Sequence, residues 1–210
     1  MKNSLCAALG CLLLWLGMGA SQALADAAAL YQPCAVCHGA AGEGNVALQA
    51  PALAGQSATY LQRQLQHFKE GIRGADPADQ PGAQMRAMSA TVREADIAVL
   101  AEYLAALPPP TVTPAADADL RNGNNYYQAN CGACHGSRAE GNPALHAPAL
   151  AWLDASYLRR QFENFQRGLR GTHPEDKYGR QMKMMANTLP DDKTLADVIA
   201  FMQSLAPAGP

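Results

Sequence analysis

Moved on by 97 residues, this chain falls on itself: Cys34 lands on Cys131, His38 on His135, Gly39 on Gly136, and Glu43-Gly44-Asn45 on Glu140-Gly141-Asn142. The same shift takes Ala50-Pro51-Ala52-Leu53 onto Ala147-Pro148-Ala149-Leu150, Tyr60-Leu61 onto Tyr157-Leu158, and Phe68 onto Phe165. It takes Gly71, Arg73 and Gly74 onto Gly168, Arg170 and Gly171, Gln84-Met85 onto Gln181-Met182, and Met88 onto Met185. A repeat of this length constrains the fold before anything else does. The chain must be two copies of one small domain. Between them, Pro108-Pro109-Pro110-Thr111-Val112-Thr113-Pro114 reads as a semi-rigid extended connector. The expected organisation is a leader at residues 1–25, a first domain at 26–107, a linker at 108–116 and a second domain at 117–210.

The most specific repeated stretch is Cys34-Ala35-Val36-Cys37-His38, with its copy Cys131-Gly132-Ala133-Cys134-His135. Each is C-x-x-C-H, the spacing of covalent haem attachment. Two thiols three residues apart lie on one side of a helical turn, where both reach the vinyl groups of one haem. The histidine that follows, His38 or His135, is then held beneath the ring as an iron ligand. Two covalently bound haem c groups are therefore expected.

Other chemistries fit the cysteines less well. A four-cysteine zinc site calls for pairs about 15–20 residues apart, and a redox dithiol calls for a βαβ setting. Neither accounts for a histidine after both pairs.

Each copy reads as helical, and the expected fold class is all-α. Leu61, Leu65, Phe68 and Ile72 recur at helical spacing after a candidate cap at Ser57, as do Leu158, Phe162, Phe165 and Leu169 after Asp154. A last helix is expected from Glu94 to Leu107, and its copy from Pro190 to Leu205, with Pro190 in the first turn. Tyr103 falls on Phe201 only with a shift of 98, so the second copy holds one inserted residue before this helix. At roughly 80–90 residues, each copy is small for a self-supporting core. A large, flat, apolar cofactor would supply the missing interior.

The sixth position on each iron needs a ligand. Met85 and Met182 match between copies and lie in stretches with little helical pattern, after Gly82 and Gly179. A thioether there raises the reduction potential. Met88, Met184 and Met185 are the rival ligands; core filling is the other use of methionine. Pro51 and Pro148 keep a carbonyl that can fix the tautomer of the ligating histidine. Tyr60, Tyr157, Arg73 and Arg170 read as partners of the haem propionates or as interface residues. His67, His146 and His173 have no histidine in the other copy and read as surface or loop residues; Trp152 also lacks a counterpart.

The start of the chain has Lys2, an apolar run from Leu5 through Leu16 and a small-residue site at Ala23-Leu24-Ala25. This is the pattern of a secretory signal peptide, with the mature chain beginning at Asp26. Cys6 and Cys11 leave with it, so the four remaining cysteines all belong to the C-x-x-C-H stretches. An exported chain with no thiol left for stapling has used its cysteines otherwise. Residues 26–107 carry 5 basic and 8 acidic side chains, and 117–210 carry 10 of each. Nothing in that balance suggests a nucleic-acid binder.

As a set, Cys34 to His38, Pro51, Met85 and their copies resemble the class I c-type cytochromes. The doubled arrangement, the A-P-A-L segments and the helices ending in Gly-x-Arg-Gly resemble the dihaem cytochromes of the cytochrome c4 type. The resemblance implies two tandem mono-haem domains, related by approximate two-fold symmetry, in a periplasmic electron carrier that is not an enzyme. Its partners would be a quinol-oxidising complex and a terminal oxidase, and such proteins can associate loosely with membranes. The alternative it allows is the dihaem subunit of a periplasmic dehydrogenase, such as a flavocytochrome that oxidises sulfide. A dihaem peroxidase would need one iron able to lose its sixth ligand, against the matched methionines. One departure stands out. With Asp26 where the second copy has Gly123, and Pro33 just before Cys34, the helix leading into the first site is expected to be short or poorly formed.

Overall fold

The computed structural model describes residues 25–207. The expected leader and its cleavage site lie almost entirely outside the described residues. The first half consists of α1 (residues 25–38), α2 (Ala58–Lys69), α3 (Gln80–Ser89) and α4 (Glu94–Ala106). The second consists of α5 (Leu120–Asn130), α6 (Gly132–His135), α7 (Ala155–Gln166), α8 (Lys177–Met185) and α9 (Asp192–Ser204), with a 3₁₀ turn at Pro143–Leu145. Among the described residues there is no strand, only the isolated bridges Asn45↔Ala50 and Asn142↔Ala147. Each bridge closes the loop just before Pro51 or Pro148.

The caps explain where the middle helices begin. The Ser57 side chain accepts from the Tyr60 N–H, and Asp154 accepts from Ser156 and Tyr157. Behind them, Leu61 and Phe68 in α2 and Leu158 and Phe165 in α7 are buried. The first and last helices of each half also pack together. Tyr31 sits against Tyr103 at 5.8 Å between ring centroids, and Tyr127 against Phe201 at 5.7 Å.

Three expectations need correction. The helix leading into the first site is fully formed, and α1 runs unbroken through Cys34 and Cys37. The true register is 96 rather than 97 here, because one residue fewer separates the tyrosine from the cysteine. Tyr31 thus takes the place of Tyr127. Both are buried, and both hydroxyls donate to a glycine carbonyl just past the haem-site histidine, Gly39 at 2.8 Å and Gly136 at 2.6 Å. Ala27, not Asp26, stands where the second half has Gly123, and it is buried. In the second half, the extra residue is absorbed by a break at Cys131 (φ −120°, ψ −40°) between α5 and α6.

Secondly, Met85 and Met182 lie on helices, α3 and α8, not in irregular chain. Asp79 and Asp176 cap these helices through Gly82 and Gly179. Their sequences carry Gly and Pro and alternate poorly, so tertiary packing and the cap outweigh weak helical propensity. Thirdly, Pro190 precedes α9. Asp191 is the cap, accepting from the Thr194 N–H, and the helix starts at Asp192.

Gly123 marks the closest approach of α5 to α9. A Cβ there would stand 2.1 Å from the Asp197 carbonyl oxygen. Gly123→Ala is expected to destabilise the second half by on the order of 1–3 kcal/mol, read as an earlier thermal transition. Ala27→Gly should cost less, on the order of 1 kcal/mol from helix propensity. Asp197 locks the same crossing by accepting from the Asp119 N–H, Asn122 Nδ2 and Lys193 Nζ. These bonds, the Lys193 bond foremost, hold its carboxyl below the usual range.

Candidate haem sites

In each half, the C-x-x-C-H stretch ends one helix and the chain then turns back to its bridge and proline. The turn sets up the key contact. His38 Nδ1 lies 2.8 Å from the Pro51 carbonyl, and His135 Nδ1 lies 2.9 Å from that of Pro148. Each Nδ1–H donates to the carbonyl, which leaves Nε2 as the free, unprotonated ligand atom. Both rings are buried, at 4% and 6% exposure. Burial pushes both below the ordinary histidine value, with the carbonyl bond opposing it. The imidazoles are therefore neutral at neutral pH, as metal ligation requires.

The thiols stand at the same place. All four are free; Cys37 and Cys134 are exposed, and Cys34 and Cys131 are half-buried. Burial pushes the Cys34 thiol up and the Cys131 thiol up to about 11, with the neighbouring cysteine adding to each. The two pairs belong to separate halves. Among the described residues, no three His, Cys, Asp or Glu side chains converge as metal ligands, so a shared zinc site is not built.

A large cavity lined mostly by the second half, with Tyr60, Arg63 and Gln64 of the first also in its wall, is bounded by Cys131, Cys134, His135 and Pro148 and by Met182 and Met185, with Leu158, Phe162 and Ile199 among its apolar lining. Two thiols, one imidazole nitrogen and a thioether around an apolar slot are the donor set of haem c, and the residues fit that group. Met184 is not in this wall and is 68% exposed. Met88 and Met185 are 48% and 37% exposed, whereas Met85 and Met182 are half-buried.

The two halves meet through a network with near two-fold symmetry. Arg73 donates to Gln64 Oε1 at 2.7 Å and to Gln161 Oε1 at 3.0 Å; Arg170 donates to Gln161 at 2.8 Å and to Gln64 at 2.9 Å. Arg73 also reaches the Tyr157 hydroxyl at 3.2 Å. Each guanidinium lies over a phenylalanine of its own half, Phe68 at 4.5 Å and Phe165 at 4.6 Å. Arg73, Arg170 and the two tyrosines are thus interface residues, one of the two uses the sequence allowed. Burial alone would raise the Tyr60 phenol, but Arg170, Arg73 and Arg63 around it hold it below its ordinary value.

Several interface residues were not legible as such in the sequence. Gln56 clamps the backbone of Ala149 from both sides, Trp152 Nε1 donates to the Ala54 carbonyl, and Arg63 donates to the His146 ring and carbonyl. His67 and His146, read as surface or loop histidines, sit in this interface. The imidazole of His67 is 3.8 Å from Asp176 of the other half, and that of His146 stacks on Tyr178 at 4.5 Å. Gln56, Trp152, His67 and His146 differ from the residues at the matching positions, Leu153, Gly55, Asn164 and Gln49, so the repeat does not pair them. Only an unpaired Trp or His inside an otherwise faithful copy hinted at them.

The chain is similar to known cytochromes. The family model for cytochrome c matches twice, at residues 24–108 and 120–206. The chain is 38% identical to cytochrome c4 of Azotobacter vinelandii, covering 94% of this chain and 98% of that one. It is 31% identical to a protein of Stutzerimonas stutzeri named thiosulfate dehydrogenase electron acceptor, over 78% of this chain and 74% of that one. The crystal structure of reduced recombinant cytochrome c4 from Pseudomonas stutzeri shares the fold, with a TM-score of 0.71 at 24% identity over 85% of this chain and 96% of that one. Two cytochrome c domains in tandem, each with its cysteine pair and histidine, hold two covalently bound haem c groups, and the chain belongs to the dihaem cytochromes of the cytochrome c4 family.

Proposed function

We propose that this dihaem electron carrier works in the periplasm, passing single electrons from a quinol-oxidising respiratory complex toward a terminal oxidase. The observation that carries the reading is the duplicated donor set, two thiols, a carbonyl-oriented histidine and a methionine-bearing helix in each half. Bound haem supplies an iron that cycles between two oxidation states one electron at a time. The chain's own residues do the rest. Cys34, Cys37, Cys131 and Cys134 hold the group in both states, and Pro51 and Pro148 orient His38 and His135. Met85 and Met182 would fill the sixth positions, because Met88 and Met185 are more exposed and Met184 points elsewhere. With both irons six-coordinate, no position is open for a substrate.

Arg73 and Arg170 would face the haem propionates. Among the described residues neither is in an ion pair, and the Nε atoms of both are buried without an acceptor. A buried and a half-buried like charge without a counterion are costly, and carboxylates of the bound groups would supply one. Residues 1–25 would be removed on export, leaving domains at 26–107 and 117–210 joined by the linker at 108–116. No helix among the described residues is long and apolar enough to cross a membrane, so any membrane association would be peripheral.

The experiment is a redox titration followed by visible spectroscopy on wild type, Met85→Ala and Met182→Ala. Wild type should show two low-spin haems with Met/His ligation, and each variant should lose one. A variant that keeps both would overturn the ligand assignment. A second reading is favoured by the relative named as an electron acceptor of thiosulfate dehydrogenase: the donor would be a periplasmic dehydrogenase of inorganic sulfur compounds. Reduction of the protein by such an enzyme, and copurification with it, would distinguish this from a quinol-oxidising donor.

A further inference from the structure

The two halves differ where they touch. Position 67 of α2 is a histidine, and its counterpart in α7 is Asn164, which is buried and whose Nδ2 has no partner. His67 reaches across the interface to Asp176, which caps the methionine-bearing helix α8 and lines the second cavity. The groups facing His67 are Arg63 from its own helix, Glu70 at that helix's C-cap, and Asp176 and Arg170 from the other half. Asp79, the matching cap on α3, is in no ion pair with an imidazole among the described residues.

We propose that His67, contributed by the first domain, is a tuning residue for the second haem and makes the potential of that haem alone depend on pH. Oxidation adds one positive charge at the second site, and a proton on His67 adds another just beyond its wall. The two charges repel across Asp176. His67 therefore holds its proton more tightly when the second site is reduced. Reduction takes one electron from the redox partner and a fraction of a proton from water, and oxidation returns both. Burial, partly offset by Asp176, keeps His67 below the ordinary value of 6.5, so the linkage falls in the mildly acidic range. The inference rests on the dihaem reading and is independent of which donor delivers the electron.

The test is a spectroelectrochemical titration of the holoprotein between about pH 5 and pH 8. The two waves are assigned by the changes that Met85→Ala and Met182→Ala produce. Wild type should show the second wave moving to lower potential as pH rises through the mildly acidic range, with the first wave flat by comparison. His67→Asn, which copies the residue native to the other half, should flatten the second wave, and His67→Gln should do the same if the asparagine protein folds poorly. A slope that survives in both variants, that belongs to the first wave, or that is absent from wild type would overturn the proposal. If neither methionine variant shifts a wave, it is the ligand assignment that fails, and the waves are assigned instead by Cys131→Ala with Cys134→Ala, in which the wave that remains is the first.

Discussion

Removing both thiols of the second site, Cys131→Ala with Cys134→Ala, is expected to leave one covalently bound haem per chain and to melt the second half. The cavity explains the size of the effect. Leu153, Leu158, Phe162, Phe165, Leu195 and Ile199 all face it. Each large apolar side chain left against water instead of a partner forgoes on the order of 1.5–3 kcal/mol. Several such losses match the whole stability of a small domain, about 5–15 kcal/mol. Nothing else staples this half, since its two cysteines are those of the site. Intact mass and pyridine haemochrome spectra would count the haems, and circular dichroism would follow the melt. A variant that keeps both haems, or keeps the helix content and transition of wild type, would contradict this account. The first half should also loosen, because Gln56 and Arg73 lose partners in the unfolded half.

The second large effect concerns the interface arginines. Arg73→Gln combined with Arg170→Gln should lower both reduction potentials, because cations held at the interface oppose the extra positive charge of the oxidised state. A partly screened unit charge near each haem is worth on the order of 1 kcal/mol, and about 1.4 kcal/mol corresponds to about 59 mV for one electron. The expected shift is therefore tens of millivolts downward at each haem. The same variant should separate the halves more readily, since each arginine bridges both Gln64 and Gln161. Potentials that stay within a few millivolts of wild type would show that neither guanidinium faces a haem carboxylate.

The repeat made most of this protein legible. It gave two all-helical halves, the four thiols, both histidines and the shared proline. The bond from each imidazole to its proline carbonyl is visible in advance because both partners recur at one spacing. The repeat misled where the copies differ by one residue. A rigid shift of 97 set Asp26 against Gly123 and suggested a weak helix, while a shift of 96 sets Ala27 there and brings Tyr31 onto Tyr127. The helices that bear Met85 and Met182 were hidden for another reason: they are short, rich in polar residues, and held by the Asp79 and Asp176 caps. The interface was least visible. Contacts such as Trp152 to Ala54 span 98 residues of sequence and follow no local period.

The arginine and glutamine square has the form of a contact between two identical subunits, in which each patch meets its own copy about a two-fold axis. Here both subunits are one chain. The extended segment after α4 packs against Gly55, where an added Cβ would lie 2.9 Å from Pro109, and it turns a bimolecular association into an intramolecular one with a high effective concentration. A true homodimer cannot change one side without the other. Joined in one polypeptide, the sides are free to diverge, and His67 opposite Asn164, Gln56 opposite Leu153 and Trp152 opposite Gly55 record where they have. Covalent joining thus allows two haems with nearly the same scaffold to become chemically distinct.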